Sequence, residues 1–195
     1  MIGSFRHNLA RLFQLGGRSS PAQFWPYMIV MILLQILATA IPASWWFSQT
    51  FANMQRFAAE HPDQATVTQG PGSYSVEIDG YHPELMGGMQ EFAIGAGIIV
   101  ILFLLLTGAA MIRRLHDSNR SGWWLVPTLV TLSIAIAGTP LLVTSGSSAT
   151  EPPLFLFGLL LLNNLVYLGS LLVMLLLLVA DGTPGKNRYG DRTSS

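Results

Sequence analysis

The chain has 195 residues, of which 10% are charged and 51% hydrophobic; an average soluble domain carries about 25% charged residues, so an ordinary water-soluble globule is excluded. Ten Lys and Arg against ten Asp and Glu, with zero formal net charge, leave no general basic field for nucleic acid, and no nucleic-acid partner is expected. The absence of Cys excludes disulfides, thiolate zinc sites and thiol nucleophiles.

Residues 1–20 read as an interfacial segment. Phe5, Leu9, Leu12 and Phe13 fall on one helical face, with Arg6, His7 and Arg11 on others, the pattern of an amphipathic helix lying in the headgroup region. Ser4 is expected to cap its start and Gly16-Gly17 to end it. Ser20-Pro21-Ala22-Gln23 then has the form of a capping box with Pro at the first helical position.

Four stretches, 24–47, 92–112, 123–143 and 154–180, are long and apolar enough to cross a bilayer and contain no Asp, Glu, Lys, Arg or His. The first is too long for a cleaved signal peptide and is expected to stay in the mature chain. Trp25, Trp45, Trp46, Trp123 and Trp124 sit at span ends, where indole rings prefer the headgroup level, and read as interface anchors.

Residues 48–91 form the one sizeable polar loop. Phe51, Met54, Phe57 and Ala58 have helical spacing and predict a helix along the outer surface up to His61-Pro62. Tyr74, Val76 and Ile78 alternate with polar residues, a strand or hairpin signal, with Pro71-Gly72 and Asp79-Gly80 as turns. About ten polar residues separate spans two and three, which predicts a tight antiparallel hairpin with Ser121 capping the third span. Asn163, Asn164 and Tyr167 are the polar members of the fourth and are expected to bond a neighbouring helix.

Nine of the ten basic residues fall in alternate segments. Arg6, Arg11 and Arg18 precede span one; Arg113, Arg114 and Arg120 link spans two and three; Lys186, Arg188 and Arg192 follow span four. Only Arg56 lies in the 48–91 loop, among six carboxylates, and the 144–153 loop holds only Glu151. Short cytoplasmic loops retain Arg and Lys, so both termini are expected in the cytoplasm. The fold class is therefore an all-α integral membrane protein, a single membrane domain over 1–195. It has four transmembrane helices in a bundle, an N-terminal amphipathic helix, an extracytoplasmic loop at 48–91 and a cytoplasmic tail at 181–195.

Three polar blocks share the basic side: Gly17-Arg18-Ser19-Ser20-Pro21-Ala22-Gln23-Phe24-Trp25, Arg113-Arg114-Leu115-His116-Asp117-Ser118-Asn119-Arg120-Ser121-Gly122-Trp123-Trp124, and Asp181-Gly182-Thr183-Pro184-Gly185-Lys186-Asn187-Arg188-Tyr189-Gly190. In this order and spacing they resemble the signatures of the bacterial inner-membrane family catalogued as domain of unknown function 805, over nearly the whole chain from about Phe13 to Gly190. The resemblance implies a small polytopic inner-membrane protein and attaches no activity. The chain departs from the family's first motif at Pro21 and Gln23, where a second arginine and an acidic residue are usual, and its 48–91 loop is longer than is common.

Spans one and three start on the basic side, so their positive helix ends point toward Arg18, Arg113, Arg114 and Arg120, an arrangement that favours an anion. Asp117 and Asp181 close spans two and four at the negative helix ends, where each is expected to be an ion-pair partner. Two readings of these residues stand side by side. One is an Arg–Asp network that locks helix ends together. The other is a collar in which Arg18, Arg113, Arg114, His116, Arg120 and Arg188 hold an anionic lipid headgroup or a partner, so that Arg113→Ala and Arg120→Ala weaken lipid retention.

His116-Asp117 lacks the further ligands of a metal site, and His116 is expected to bond backbone or lipid. Gly-Thr-Pro-Gly-Lys lacks phosphate-loop spacing and reads as turns that hold the tail against the inner hairpin. No nucleophile set assembles on one side, so no catalysis and no cofactor are expected. The spans hold no ionisable group for coupled transport. The first choice is a scaffold or accessory protein that binds membrane lipids. An oligomeric pore, a homo-oligomer, and an envelope interaction or immunity protein acting through the acidic 48–91 loop are the alternatives.

Overall fold

The structure, a computed structural model, describes residues 2–191; Arg192 lies outside them. Helix α1 (Ile2–Leu9) leads through turns to α2 (Pro21–Glu60), a hairpin of β1 (Ala65–Gly70) and β2 (Ser73–Ile78), then α3 (Met89–Asp117), α4 (Val126–Ser147) and α5 (Leu154–Val179). Helices α2 to α5 coincide with four segments long and apolar enough to cross a membrane. The chain is mostly helical and has the build of a multi-pass membrane protein.

The start of α2 is where Ser20-Pro21 predicts it, but the capping box does not form. Ser20 is extended with Pro21 in the first turn, and its hydroxyl makes no cap bond. Ser20 Oγ and Gln23 Oε1 are buried without partners, while the Gln23 and Phe24 amides reach the Ser20 carbonyl at 3.0 Å each.

Pro26 lies in the second turn of α2 and has no N–H for the carbonyl of Ala22. That carbonyl accepts from the Ser4 hydroxyl at 3.2 Å instead, and the next one, Gln23, accepts from Asn8 Nδ2 at 2.8 Å. Helix α1 thus docks on the backbone loosened by a proline. Ser4 lies inside α1 and bridges to α2, in place of the capping role predicted for it. Phe5 packs on Tyr27 with ring centroids 5.7 Å apart. Helix α1 ends at Leu9, and Phe13, 91% exposed, and Leu15 project from the turns that follow.

Helix α2 runs unbroken to Glu60, well past residue 47. The segment predicted to lie along the surface is its continuation, because neither Gly nor Pro occurs between Pro42 and Pro62. The strand-or-hairpin signal at Tyr74, Val76 and Ile78 lies in the second strand of a hairpin whose first strand was not read from the sequence, with Val67 opposite Val76 and Gly72 at φ 79° in its turn. It returns to α2 through an edge contact of Phe51 and Tyr74, centroids 6.0 Å apart. A single helical turn at Pro83–Met86 leads into α3, and Tyr81 donates to the Gly146 carbonyl at the end of α4, 2.9 Å away.

The α3–α4 connection is a helix stop written in the sequence. Asn119 adopts a left-handed conformation, φ 58°; its amide bonds the His116 carbonyl at 3.0 Å and the Arg120 amide bonds Leu115 at 2.9 Å. This is the Schellman pattern, with Asn in the position usually held by Gly. Gly122 follows because a Cβ there would press on the Ile112 side chain at 3.2 Å. Ser121 accepts from the Trp123 amide at 3.4 Å, the predicted cap, ahead of a short turn at Gly122–Leu125 that opens α4.

The core sits at the end of the bundle that carries both termini. Phe24, Tyr27 and Met31 of α2, Ala110 and Leu115 of α3, Leu125, and Met174 and Leu178 of α5 form one buried cluster. Tyr27 donates to the Leu106 carbonyl at 2.7 Å and so satisfies its hydroxyl inside an apolar region. Beyond this cluster most large apolar side chains are exposed, as lipid-facing surfaces are.

Among the tryptophans, Trp45, Trp123 and Trp124 are exposed, as anchors require. Trp46 instead stacks on Phe92 of α3, 5.5 Å apart at 6°, which ties two helices together. Trp25 is half-buried against Phe24. Asn163 makes the predicted interhelical bond, to the Thr131 carbonyl of α4 at 3.0 Å. Asn164 does not: its amide bonds Leu160 in its own helix.

Candidate functional site

The three polar blocks meet at the terminal end of the bundle. Arg18, Arg113 and Arg114 are at most 2% exposed, and Asp117 equals them. A buried guanidinium needs acceptors for up to five N–H groups, and the chain supplies them mainly as carbonyls released at helix ends and turns.

Arg18 joins the N-terminal segment to α3 and to the tail. Its Nε donates to Asp117 Oδ1 at 2.9 Å, Nη1 to the Gly185 carbonyl at 2.6 Å, and Nη2 to the Thr183 carbonyl at 2.6 Å. Arg114 does the same for α5. Its Nη1 bonds Asp117 Oδ2 at 2.7 Å, while Nε and Nη2 take the Leu178 and Ala180 carbonyls at 2.9 and 2.7 Å. A cation is thereby set against the negative end of α5, where the helix dipole favours it. Asp117 is held between the two arginines, one on each oxygen, and this pairing is the one expected of it. Asp181 is exposed and makes no ion pair among the described residues; Arg114 serves the end of α5 that Asp181 was expected to pair across.

The tail is folded against this network. The Thr183 amide and hydroxyl both donate to the Asp117 carbonyl, at 2.9 and 3.1 Å. Asn187 Nδ2 bonds the His116 carbonyl at 2.9 Å. Gly182 packs directly on the Asp117 carboxylate, in the space that a Cβ would need. The Tyr189 ring stacks on His116 at 3.7 Å and 6°, and His116 Nδ1 lies 3.2 Å from the Gly17 carbonyl, the backbone contact predicted for it. Arg188 is exposed, donates to the Asn119 carbonyl at 3.0 Å and lies over Tyr189. The turn-rich reading of Gly-Thr-Pro-Gly-Lys matches this geometry.

Arg113 is arranged differently. Nη1 donates to the Arg11 and Gln14 carbonyls at 2.7 and 2.6 Å, and Nη2 to Asn8 Oδ1 at 2.9 Å. Nε is buried with no partner, as are Ser19 Oγ, Ser20 Oγ and His7 Nε2. No carboxylate pairs with Arg113 among the described residues. Burial, with Arg11 and Arg113 close by, holds His7 below the ordinary imidazole value, so charge repulsion is felt within the group. Arg11 and Arg113 therefore converge beside a histidine held toward its neutral form, with no carboxylate paired to either arginine among the described residues.

The structure thus divides the residues expected to form one collar. Arg18, Arg113 and Arg114 are internal, their N–H groups turned to the protein, and they do not present an open cation surface. Arg120 is half-buried, and Arg6, Arg11, Lys186 and Arg188 are exposed. Asn8 and Asn187, which complete the network, were not singled out in the sequence, where Gly182 and Thr183 read only as turns of the tail. The signal for Gly182 and Thr183 was their place in the third motif; Asn8 carried none beyond a polar position in an amphipathic helix. Neither a curated protein nor a solved structure matches the chain. The motifs that wire this end together fall within residues 12–191, the segment matched by the family described as Protein of unknown function (DUF805), and the chain belongs to that family.

Proposed function

We propose that this is a non-enzymatic accessory or scaffold protein of the bacterial inner membrane, with both termini in the cytoplasm, that holds anionic lipid headgroups at its arginine-rich end. The observation that carries the reading is charge left over after internal pairing. Of the basic side chains described at that end, only Arg18 and Arg114 meet a carboxylate; Arg6, Arg11, Arg113, Arg120, Lys186 and Arg188 do not, against exposed Asp181 and Asp191. Phe13 and Leu15 project beside Arg11, an apolar and basic pairing suited to the boundary between acyl chains and phosphates. Each Lys or Arg close to an anionic leaflet contributes about 1 kcal/mol.

The test uses exposed residues, since Arg113→Ala would remove an internal strut. Native mass spectrometry of the delipidated protein is expected to show preferential retention of phosphatidylglycerol over phosphatidylethanolamine. The preference is expected to fall about tenfold or more in Arg11→Gln/Arg120→Gln. Equal retention of the two lipids by the wild type would end the proposal. Orientation is checked with single cysteines at Ser73 and Lys186: an impermeant maleimide added to intact spheroplasts is expected to label the first alone.

A further inference from the structure

We propose that α5 is the contact helix of a parallel homodimer, with Asn164 paired to Asn164 of a second copy. Helix α5 packs mainly on α4, with Met174 and Leu178 buried in the core shared with α2 and α3, and its outward surface is exposed. On that surface Phe157, Leu161, Asn164, Leu168 and Leu175 recur at steps of four, three, four and seven residues, the spacing of a seam between supercoiled helices. Phe157, Leu161, Leu168 and Leu175 are about half exposed.

Asn164 chooses this seam over any other leucine-rich flank. It lies about 15 Å along α5, near the middle of a hydrocarbon layer about 30 Å thick, and its side chain is exposed. Its one side-chain bond among the described residues is Nδ2 to the Leu160 carbonyl at 2.9 Å, so Oδ1 and the second N–H have no partner there, which is costly for an amide at the depth of an apolar layer. Asn163 beside it is already matched to α4. A second copy inserted in the same bilayer has α5 running the same way at the same depth, so a twofold axis along the membrane normal brings residue 164 to residue 164. An amide both donates and accepts and is therefore its own complement. The opposite flank, around Leu162, is equally exposed and offers no polar group.

The chain contains no Cys, so single cysteines report the contact cleanly. In neutral phosphatidylcholine liposomes, which keep this test separate from headgroup binding, Leu161→Cys and Leu168→Cys are expected to form disulfide dimers and Leu162→Cys is not. Fluorescence transfer across a dilution series is expected to show dimerisation weakened about 3- to 30-fold in Asn164→Leu and retained in Asn164→Gln. The Leu substitution adds apolar surface facing lipid and breaks no bond to another helix, so the fold survives it. A monomer at every dilution, unchanged dimerisation in Asn164→Leu, or faster cross-linking at Leu162→Cys than at Leu168→Cys would each overturn the proposal.

Discussion

Arg113 and Arg114 are adjacent in sequence, equally buried and on the same last turn of α3, yet they sit in opposite electrostatic settings. Arg114 shares the Asp117 carboxylate with Arg18 and caps α5. Arg113 turns the other way, into the wrap of residues 8–14, and meets two carbonyls and an amide oxygen. Both satisfy most of their hydrogen bonds; only one side neutralises charge. The difference teaches that carbonyls can solvate a buried guanidinium without compensating it, so one side pairs its charge and the other keeps a positive charge with no carboxylate partner among the described residues.

Breaking the compensated side has the largest expected effect. Asp117→Asn leaves Arg18 and Arg114 buried without a counter-charge and is expected to cost about 3–5 kcal/mol, read as loss of folded protein or a large fall in Tm in mild detergent. Gly182→Ala comes next. Its Cβ would occupy the place of the Asp117 carboxylate, so the tail must lift, at about 1–3 kcal/mol. Trypsin is then expected to cut faster at Lys186 and Arg188 than in the wild type.

The uncompensated side can be sharpened instead of broken. The Gln23 backbone carbonyl, not its side chain, meets Asn8, which accepts from Arg113; the side chain stands in the first turn of α2 with Oε1 unpartnered, where a carboxylate is favoured by the helix dipole. Gln23→Glu is expected to add about 1 kcal/mol of stability and to lower phosphatidylglycerol retention, because the protein then supplies its own anion. A thermal shift in the opposite direction would show that charge is already compensated there.

The smallest effect is the response to pH through His7. Its folded-state value is depressed, chiefly by burial and then by Arg11 and Arg113, so between the folded and unfolded values the unfolded chain binds the extra proton. The His7 contribution is complete above the ordinary imidazole value and is lost as pH falls through it toward the depressed one. His7→Gln is expected to flatten that part of the stability profile, measured as Tm against pH.

Much of the fold was legible from local chemistry. The apolar runs, the cap at Ser121, the strand at 73–78 and the turns of the tail all follow from residue type and spacing. The reach of α2 was misjudged because helical spacing says nothing about whether two helical segments join; the absence of Gly and Pro between them was the clue. The docking of α1 was hidden because its partners are backbone carbonyls, that of Ala22 left free by Pro26 and its neighbour at Gln23, and a carbonyl has no signature in a sequence. Trp46 read as an anchor because an indole near a span end has the same composition whether it meets lipid or Phe92.

By itself the sequence determined that four segments are long and apolar enough to cross a membrane and that the arginines gather at alternate turns, because transfer free energy and charge are sums over neighbouring residues. The tertiary structure alone decided which arginine is neutralised. Arg18 finds Asp117 across 99 residues and the Gly185 carbonyl across 167, while Arg113 closes on backbone of the N-terminal turns. Such partners are chosen by how helix ends converge, and a guanidinium accepts any carbonyl brought within reach.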